Sequence, residues 1–162
     1  MADDAVMTKI GQAVMLHRGG DREEARTRLA ALWARLDADA HPLQRCTLAH
    51  FLAGTQDDPH DRLAWDLRAL HAAETVRRRT AEDTSEQDRA VRSFYPSLRL
   101  SLAADYVRLH QRERARAELA QAVEWTAGLA DDAYGRTVRT AIGRVERALD
   151  GIPEGRVPPA AL

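Results

Sequence analysis

The sequence predicts an all-α protein built from antiparallel helix hairpins. Apolar residues recur at helical intervals along most of the chain, and no stretch shows the period-two alternation of a strand. Between residues 97 and 128 the apolar positions form two blocks, separated by a polar stretch from Gln111 to Arg114. A short polar stretch of this kind predicts a tight turn between two antiparallel helices. About three hairpins and a C-terminal capping helix account for the 162 residues.

The first hairpin is predicted from two helical stripes and the turn between them. Gly19 and Gly20 end the first helix, because glycine accepts the left-handed conformation at a helix end. Asp21 caps the second helix, and Glu24 three residues later completes a capping box. The residues predicted to face the core are Val6, Ile10, Ala13, Val14 and His17 in the first helix and Ala25, Leu29, Leu32, Trp33 and Leu36 in the second.

The second hairpin begins at Pro42, which suits the first turn of a helix. This third helix is apolar on more than one side, which predicts that it lies between neighbouring helices. Asp58 is predicted to cap the fourth helix. The predicted core stripe of the fourth helix consists of Leu63, Ala64, Leu67, Leu70 and His71.

Residues 76–93 predict a long, polar and partly mobile connection, because charged residues dominate them. The fifth helix is predicted to start near Ser97, directly after Pro96. The last helix starts at Asp131 or Asp132 and is predicted to stop at Gly151. Residues 1–150 therefore form one predicted domain, and residues 151–162 form a proline-rich tail that is expected to be flexible.

Equivalent residue types recur in the hairpins. The matching positions are Gln12, Ala13, Leu16, Ala25, Leu29 and Leu32 in the first hairpin, Leu48, Ala49 and Leu52 in the second, and Leu102, Ala103, Tyr106, Ala115, Leu119 and Ala122 in the third. This pattern resembles the tetratricopeptide (TPR) repeat, in which such residues pack a helix pair. The resemblance implies hairpins stacked as a short TPR-like superhelix, closed by a solvent-facing last helix.

In TPR stacks the first helix of each hairpin lines a concave face, so the resemblance also implies a groove. Its expected lining residues are Ile10, Val14, His17, Arg18, Cys46, His50, Leu100, Ala104, Val107 and Arg108. An apolar floor with cationic rims suits an amphipathic helix or an extended peptide that carries acidic residues. The alternative is that the C-terminal tail or a second copy of the chain covers this surface, as in a homodimer.

The leading functional hypothesis is an adaptor without a cofactor that binds a peptide or helix of another protein in this groove. The alternative is a regulatory or sensor module that closes over a small ligand, which resembles the helical-repeat sensing domains of some bacterial regulators. A metal-assisted enzyme rests only on the cluster of His50, Asp57, Asp58, His60 and Asp61, whose spacing matches no metal-ligand motif. No nucleophile or phosphate-loop motif is present, so catalysis is not expected.

Composition limits the partners and the location that we expect. The net charge is −1, so the whole chain offers no electrostatic footprint for nucleic acid or an anionic membrane. The basic run from Arg77 to Arg79 is followed by interleaved acidic residues, which favours a solvated segment. A single cysteine, Cys46, suits a reducing compartment. The first residues lack the features of a signal peptide, and a cytoplasmic location is therefore expected.

Overall fold

The computed structural model describes residues 2–37, 41–79 and 86–152. Within these ranges the chain forms seven helices and no strand, which confirms the predicted all-α class. The helices are α1 (Ala2–Arg18), α2 (Arg22–Arg35), α3 (Pro42–Gly54), α4 (Pro59–Arg79), α5 (Glu86–Arg108), α6 (Arg112–Thr126) and α7 (Ala133–Asp150). None of them combines the length and the apolar character needed to cross a bilayer.

Every helix packs against the next one along the chain, and the odd-numbered helices also contact one another. The pairs α1–α3, α3–α5 and α5–α7 are in contact, so the odd-numbered helices lie side by side. Between the even-numbered helices of the described ranges only side chains meet, as Trp33 on α2 does with Trp65 on α4 and Arg77 on α4 does with Trp125 on α6. This arrangement places the ends of α1, α3 and α5 next to one another.

The turns of the first and last hairpins have the same geometry. Gly20 adopts a positive φ of 95°, and Asp21 N–H donates to the carbonyl of Leu16 at 2.9 Å. His110 adopts a positive φ of 56°, and Gln111 N–H donates to the carbonyl of Tyr106 at 2.9 Å. Both turns are Schellman endings, which satisfy the last carbonyl groups of a helix. The predicted Asp21 cap is confirmed as well, since its side chain accepts a hydrogen bond from Glu24 N–H.

Small residues allow the helices to approach closely. Ala13, Ala49 and Ala103 are fully buried on α1, α3 and α5, and Ala25 and Ala115 are fully buried on α2 and α6. The equivalent residues of the first and last hairpins lie 90 positions apart, as Ala13 and Ala103 do. The internal similarity predicted from the sequence thus coincides with equivalent packing positions.

The predicted connection at residues 76–93 is wrong for the parts that the structure describes. Helix α4 continues to Arg79 and α5 starts at Glu86, so Pro96 lies inside a helix. Val76, Val91 and Tyr95 are buried in one apolar cluster. An internal proline costs about 3 kcal/mol in a helix, and the burial of these side chains between α4 and α5 compensates for that cost. Residues 80–85 of the connection and residues 153–162 of the tail lie outside the described residues.

The buried face of α4 is rotated from the predicted stripe. Leu67 is 43% exposed, and His71 is also exposed. Ala69, Ala73 and Val76 are buried instead. They repeat the spacing of Ala25, Leu29 and Leu32 in α2. The sequence analysis placed the larger side chains of α4 in the core, whereas the buried face of α4 consists mainly of alanine.

We predict that Leu102→Ala lowers the free energy of unfolding by about 2–5 kcal/mol, because Leu102 is fully buried and the substitution leaves a cavity. The matched variant Leu67→Ala changes stability by no more than about 0.5 kcal/mol, as expected for an exposed position. Urea unfolding monitored by circular dichroism measures both values. A large loss in Leu67→Ala would contradict the face of α4 described here.

Candidate functional site

A cavity of about 270 Å³ lies between α1, α3, α4 and α5. Each of these four helices contributes a charged or titratable side chain to it. The lining residues are His17, His50, Phe51, Ala53, Gly54, Arg62, Asp66, Ser101, Ala104, Asp105 and Arg108.

Two buried carboxyl groups form the floor of this cavity. Asp66 on α4 is 4% exposed and Asp105 on α5 is 1% exposed. The two groups influence each other directly, since Asp66 raises the pKa of Asp105 and Asp105 lowers the pKa of Asp66, as expected when Asp105 holds the proton. A carboxylate is rarely buried without a partner, because its desolvation is costly. The pair is therefore the most unusual electrostatic feature of the described chain.

Two arginines compensate part of this buried negative charge. Arg108 Nη1 donates to Asp105 Oδ1 at 3.2 Å, and Arg62 Nε lies 3.8 Å from the same oxygen. Arg108 is 45% exposed at its side chain, so it forms part of the rim of the cavity. Both arginines approach the same oxygen of Asp105, and its other oxygen, Oδ2, accepts no hydrogen bond from a described donor.

His50 closes the cavity from α3. Its ring packs edge-on against Phe94 at a centroid distance of 5.0 Å, and its Nδ1 lies 3.5 Å from Asp66 Oδ1. Burial lowers the pKa of His50 to about 4, and the nearby Asp105 opposes this shift only in part. At neutral pH the imidazole is therefore uncharged and does not form an ion pair with Asp66.

Burial shifts both carboxyl groups in the opposite direction. The pKa of Asp105 is raised to about 8: burial is the largest cause, the proximity and charge of Asp66 add to it, and Arg108 and Arg62 oppose it. Burial also raises the pKa of Asp66 to about 6, against the effect of Asp105 and the two arginines. We therefore expect the pair to release a proton to the solvent as the pH rises from about 6 to about 8.

The structure divides the predicted groove residues into three sets. His17, His50, Ala104 and Arg108 line the cavity, Arg18 is exposed, and Val14 and Val107 are half-buried. Ile10, Cys46 and Leu100 are instead buried in three different apolar clusters of the core. A partner could not contact these three side chains directly, because the stacked helices enclose them. Burial also raises the pKa of the Cys46 thiol to about 12.

The cluster from His50 to Asp61 that was a candidate metal site does not bring its side chains together around one point. Asp57 pairs with Arg22 at 2.5 Å, and Asp58 accepts a hydrogen bond from His60 N–H at 2.7 Å as a helix cap. His50 faces the cavity on another helix. In the part of the chain that the structure describes, no three histidine, cysteine, aspartate or glutamate residues are grouped to hold a metal ion.

The sequence interpretation missed Arg62, Asp66 and Asp105. Asp105 lies within the apolar block between Ala103 and Tyr106, and Asp66 lies on the buried face of α4, three residues before Ala69. A charged residue at a core-facing helical position was the available signal. Helical periodicity does not reveal such a charged residue, because the pattern is built from the apolar residues around it.

The chain matches no family model, no curated protein and no solved structure. The candidate site therefore rests on its own geometry.

The Asp66–Asp105 pair predicts a specific pH dependence of stability. In the unfolded chain both carboxyl groups have a pKa near 3.8, whereas in the folded chain their pKa values are raised. Above pH 3.8 the folded state therefore binds more protons than the unfolded state, and the free energy of unfolding falls as the pH rises towards 8. The lowered pKa of His50 makes the free energy of unfolding rise with pH, but only between about pH 4 and pH 6.5. Above pH 6.5 we expect stability to fall with a slope of up to about 1.4 kcal/mol per pH unit.

Urea unfolding at pH 6.5, 7.5 and 8.5 measures this slope. Asp105→Asn is expected to flatten it, since Asp105 is the group whose pKa is raised to about 8, within this pH range. The exposed control Asp150→Asn keeps the wild-type slope. An unchanged slope in Asp105→Asn would contradict the protonation of the pair.

Proposed function

We propose that this chain is a TPR-like adaptor that binds a peptide or helix of a partner protein along the face formed by α1, α3 and α5. The observation that carries the proposal is the charged cavity, which residues from all three of these helices line. Concave sites between the helices of a bundle are a common location for ligand binding. We assign no catalytic step and no cofactor to the chain, and we propose that it acts in the cytoplasm.

The packing supports a TPR-like superhelix. Alanines at the repeat positions are buried on α1, α3 and α5, and these helices contact one another in sequence. The two Schellman turns, at Gly20 and His110, give the first and last hairpins the same connection. A superhelix of this kind uses its first helices to form an extended binding surface.

The size of the cavity indicates how a peptide would use it. An α-helix is about 10–12 Å wide, so a cavity of about 270 Å³ admits one side chain rather than a whole helix. The partner would lie along α1, α3 and α5 and insert one residue beside Ala104. Arg18 and Arg108, both exposed, would contact acidic residues that flank the inserted side chain.

We predict that Ala104→Phe abolishes partner binding, because the larger ring fills the cavity. Ala117→Phe is the matched control, since Ala117 is exposed on α6 and does not line the cavity. Each protein is used to capture partners from a native lysate, and the captured proteins are compared by quantitative mass spectrometry. A protein retained by wild type and by Ala117→Phe, but lost at least about tenfold with Ala104→Phe, supports the adaptor.

Equal captures by all three proteins would contradict the adaptor. Light scattering of the purified wild type measures whether the partner is a second copy of the chain. A dimer that Ala104→Phe dissociates would place this face between two copies instead.

The volume and mixed charge of the cavity favour a second candidate, a regulatory module that binds a small ligand. A volume of about 270 Å³ is close to the lower end of ligand pockets, about 300 Å³. Carboxyl groups and arginines in one cavity suit a small polar molecule. Mass spectrometry of the small molecules released on denaturation, present in wild type and absent in Ala104→Phe, would favour this candidate over the adaptor.

A further inference from the structure

Four buried polar atoms around the cavity make no hydrogen bond with any described residue. They are Asp66 Oδ1, Asp105 Oδ2, His50 Nδ1 and Arg62 Nε. Buried polar atoms are nearly always paired, so a group of them around one cavity indicates a missing partner. Two of the four are carboxylate oxygens, which only accept hydrogen bonds when ionised, and a neutral imidazole nitrogen can accept one too.

We propose that the Asp66–Asp105 pair receives a protonated amine or a guanidinium group of the ligand, with the rest of that ligand lying over Ala104 towards the rim. The inference rests on the proposed binding function and names the chemical class that the site takes. The group is either a lysine or arginine side chain of a partner protein or the head of a free small amine.

The arrangement of charges favours a cation over an anion. Arg62 and Arg108 both face Asp105 Oδ1, so their charge is already directed to a carboxyl oxygen. An anion would have to lie beside two buried carboxyl groups, whereas a cation would complete the pairing of Asp105 Oδ2 and Asp66 Oδ1. Charge-assisted hydrogen bonds of this kind are shorter and stronger than neutral ones.

The walls of the cavity suit an aliphatic stem that ends in a cationic head. Ala53 and Ala104 offer small apolar surface, and Phe51 adds an aromatic ring to the lining. A volume of about 270 Å³ accommodates one such side chain. These contacts would hold the stem while the carboxyl pair binds the head.

A cation in this position replaces the proton that the carboxyl pair shares. The other titratable or charged groups around the pair are His17 from α1, His50 from α3, Arg62 from α4 and Arg108 from α5. His50 is neutral above pH 6, so we expect the released proton to come from the carboxyl pair. Affinity for the cation is therefore expected to rise with pH between about 6 and 8, up to about tenfold per pH unit for one proton.

The test uses n-butylammonium chloride and methylguanidinium chloride as cationic probes, with sodium butyrate as the anionic counterpart and sodium chloride as the ionic-strength control. Binding to the full chain is followed at pH 6 and pH 8 by the NMR shifts of backbone amides near Ala104. We expect saturable binding of the cations to wild type, stronger at pH 8, and at least tenfold weaker binding to Asp105→Asn.

Arg108→Gln separates a cationic ligand from an anionic one. It removes a cation that competes for Asp105, so it strengthens binding of n-butylammonium by about threefold or more. For an anion held by Arg108 it would weaken binding instead. Circular dichroism at pH 5.5 verifies that each variant is folded, and Asp66→Asn replaces Asp105→Asn if the latter is unfolded.

Butyrate binding that Arg108→Gln weakens, without saturable binding of either cation, would overturn the proposal. Equal cation affinity in wild type and in the aspartate variants would overturn it as well, because the pair would then hold only water. Neither result bears on the adaptor, which is tested separately by partner capture with Ala104→Phe and Ala117→Phe.

The two sources of the cation are separated with the captured wild-type protein. Release of a bound protein by n-butylammonium, but not by sodium chloride at equal ionic strength, identifies a partner's side chain. Recovery of a small amine from denatured wild type, and none from Asp105→Asn, identifies a free ligand.

Discussion

Burial of the Asp105 carboxyl group is the constraint on which the centre of the structure depends. Burial of this charge is costly, and it is offset by Arg108 from the same helix, by Arg62 from α4 and by a raised pKa that the neighbouring Asp66 favours. The compensation is incomplete, because one oxygen of each carboxyl group lacks a donor. That deficit distinguishes the cavity from an ordinary structural ion-pair network, and it is the reason that we propose a cationic ligand there.

The alanine packing around the cavity makes this arrangement possible. Ala49 on α3 and Ala103 on α5 are fully buried, as are Ala69 and Ala73 on α4, so these three helices lie close together. Close packing brings His50, Asp66 and Asp105 within reach of one another. Larger side chains line the same helices on their other faces, as Tyr95 does against Trp125 at a ring distance of 4.7 Å. The stack is thus tight around a small opening that retains charged groups.

The local signals of the sequence predicted local structure well. The caps at Asp21 and Asp58 and the turn after Gly20 follow from chemistry within a few residues, and the hairpin positions follow from spacing. The start of α5 could not be predicted in this way, because Val91 and Tyr95 are stabilised by contacts with α4 that are distant in sequence. The same limit applies to the site. His50 and Arg108 were found through the resemblance to TPR repeats, but the pairing of Asp66 with Asp105 depends on how α4 packs against α5.

The most direct test of this account is an NMR titration of aspartate carboxyl carbons, assigned with Asp66→Asn and Asp105→Asn. The account predicts that one carboxyl group of the pair keeps its proton well above its ordinary pKa near 3.8 and releases it between about pH 6 and 8. It also predicts that n-butylammonium lowers that pKa. Ionisation of both carboxyl groups below pH 5, with or without the amine, would contradict the central claim that a shared proton occupies the place of a ligand cation.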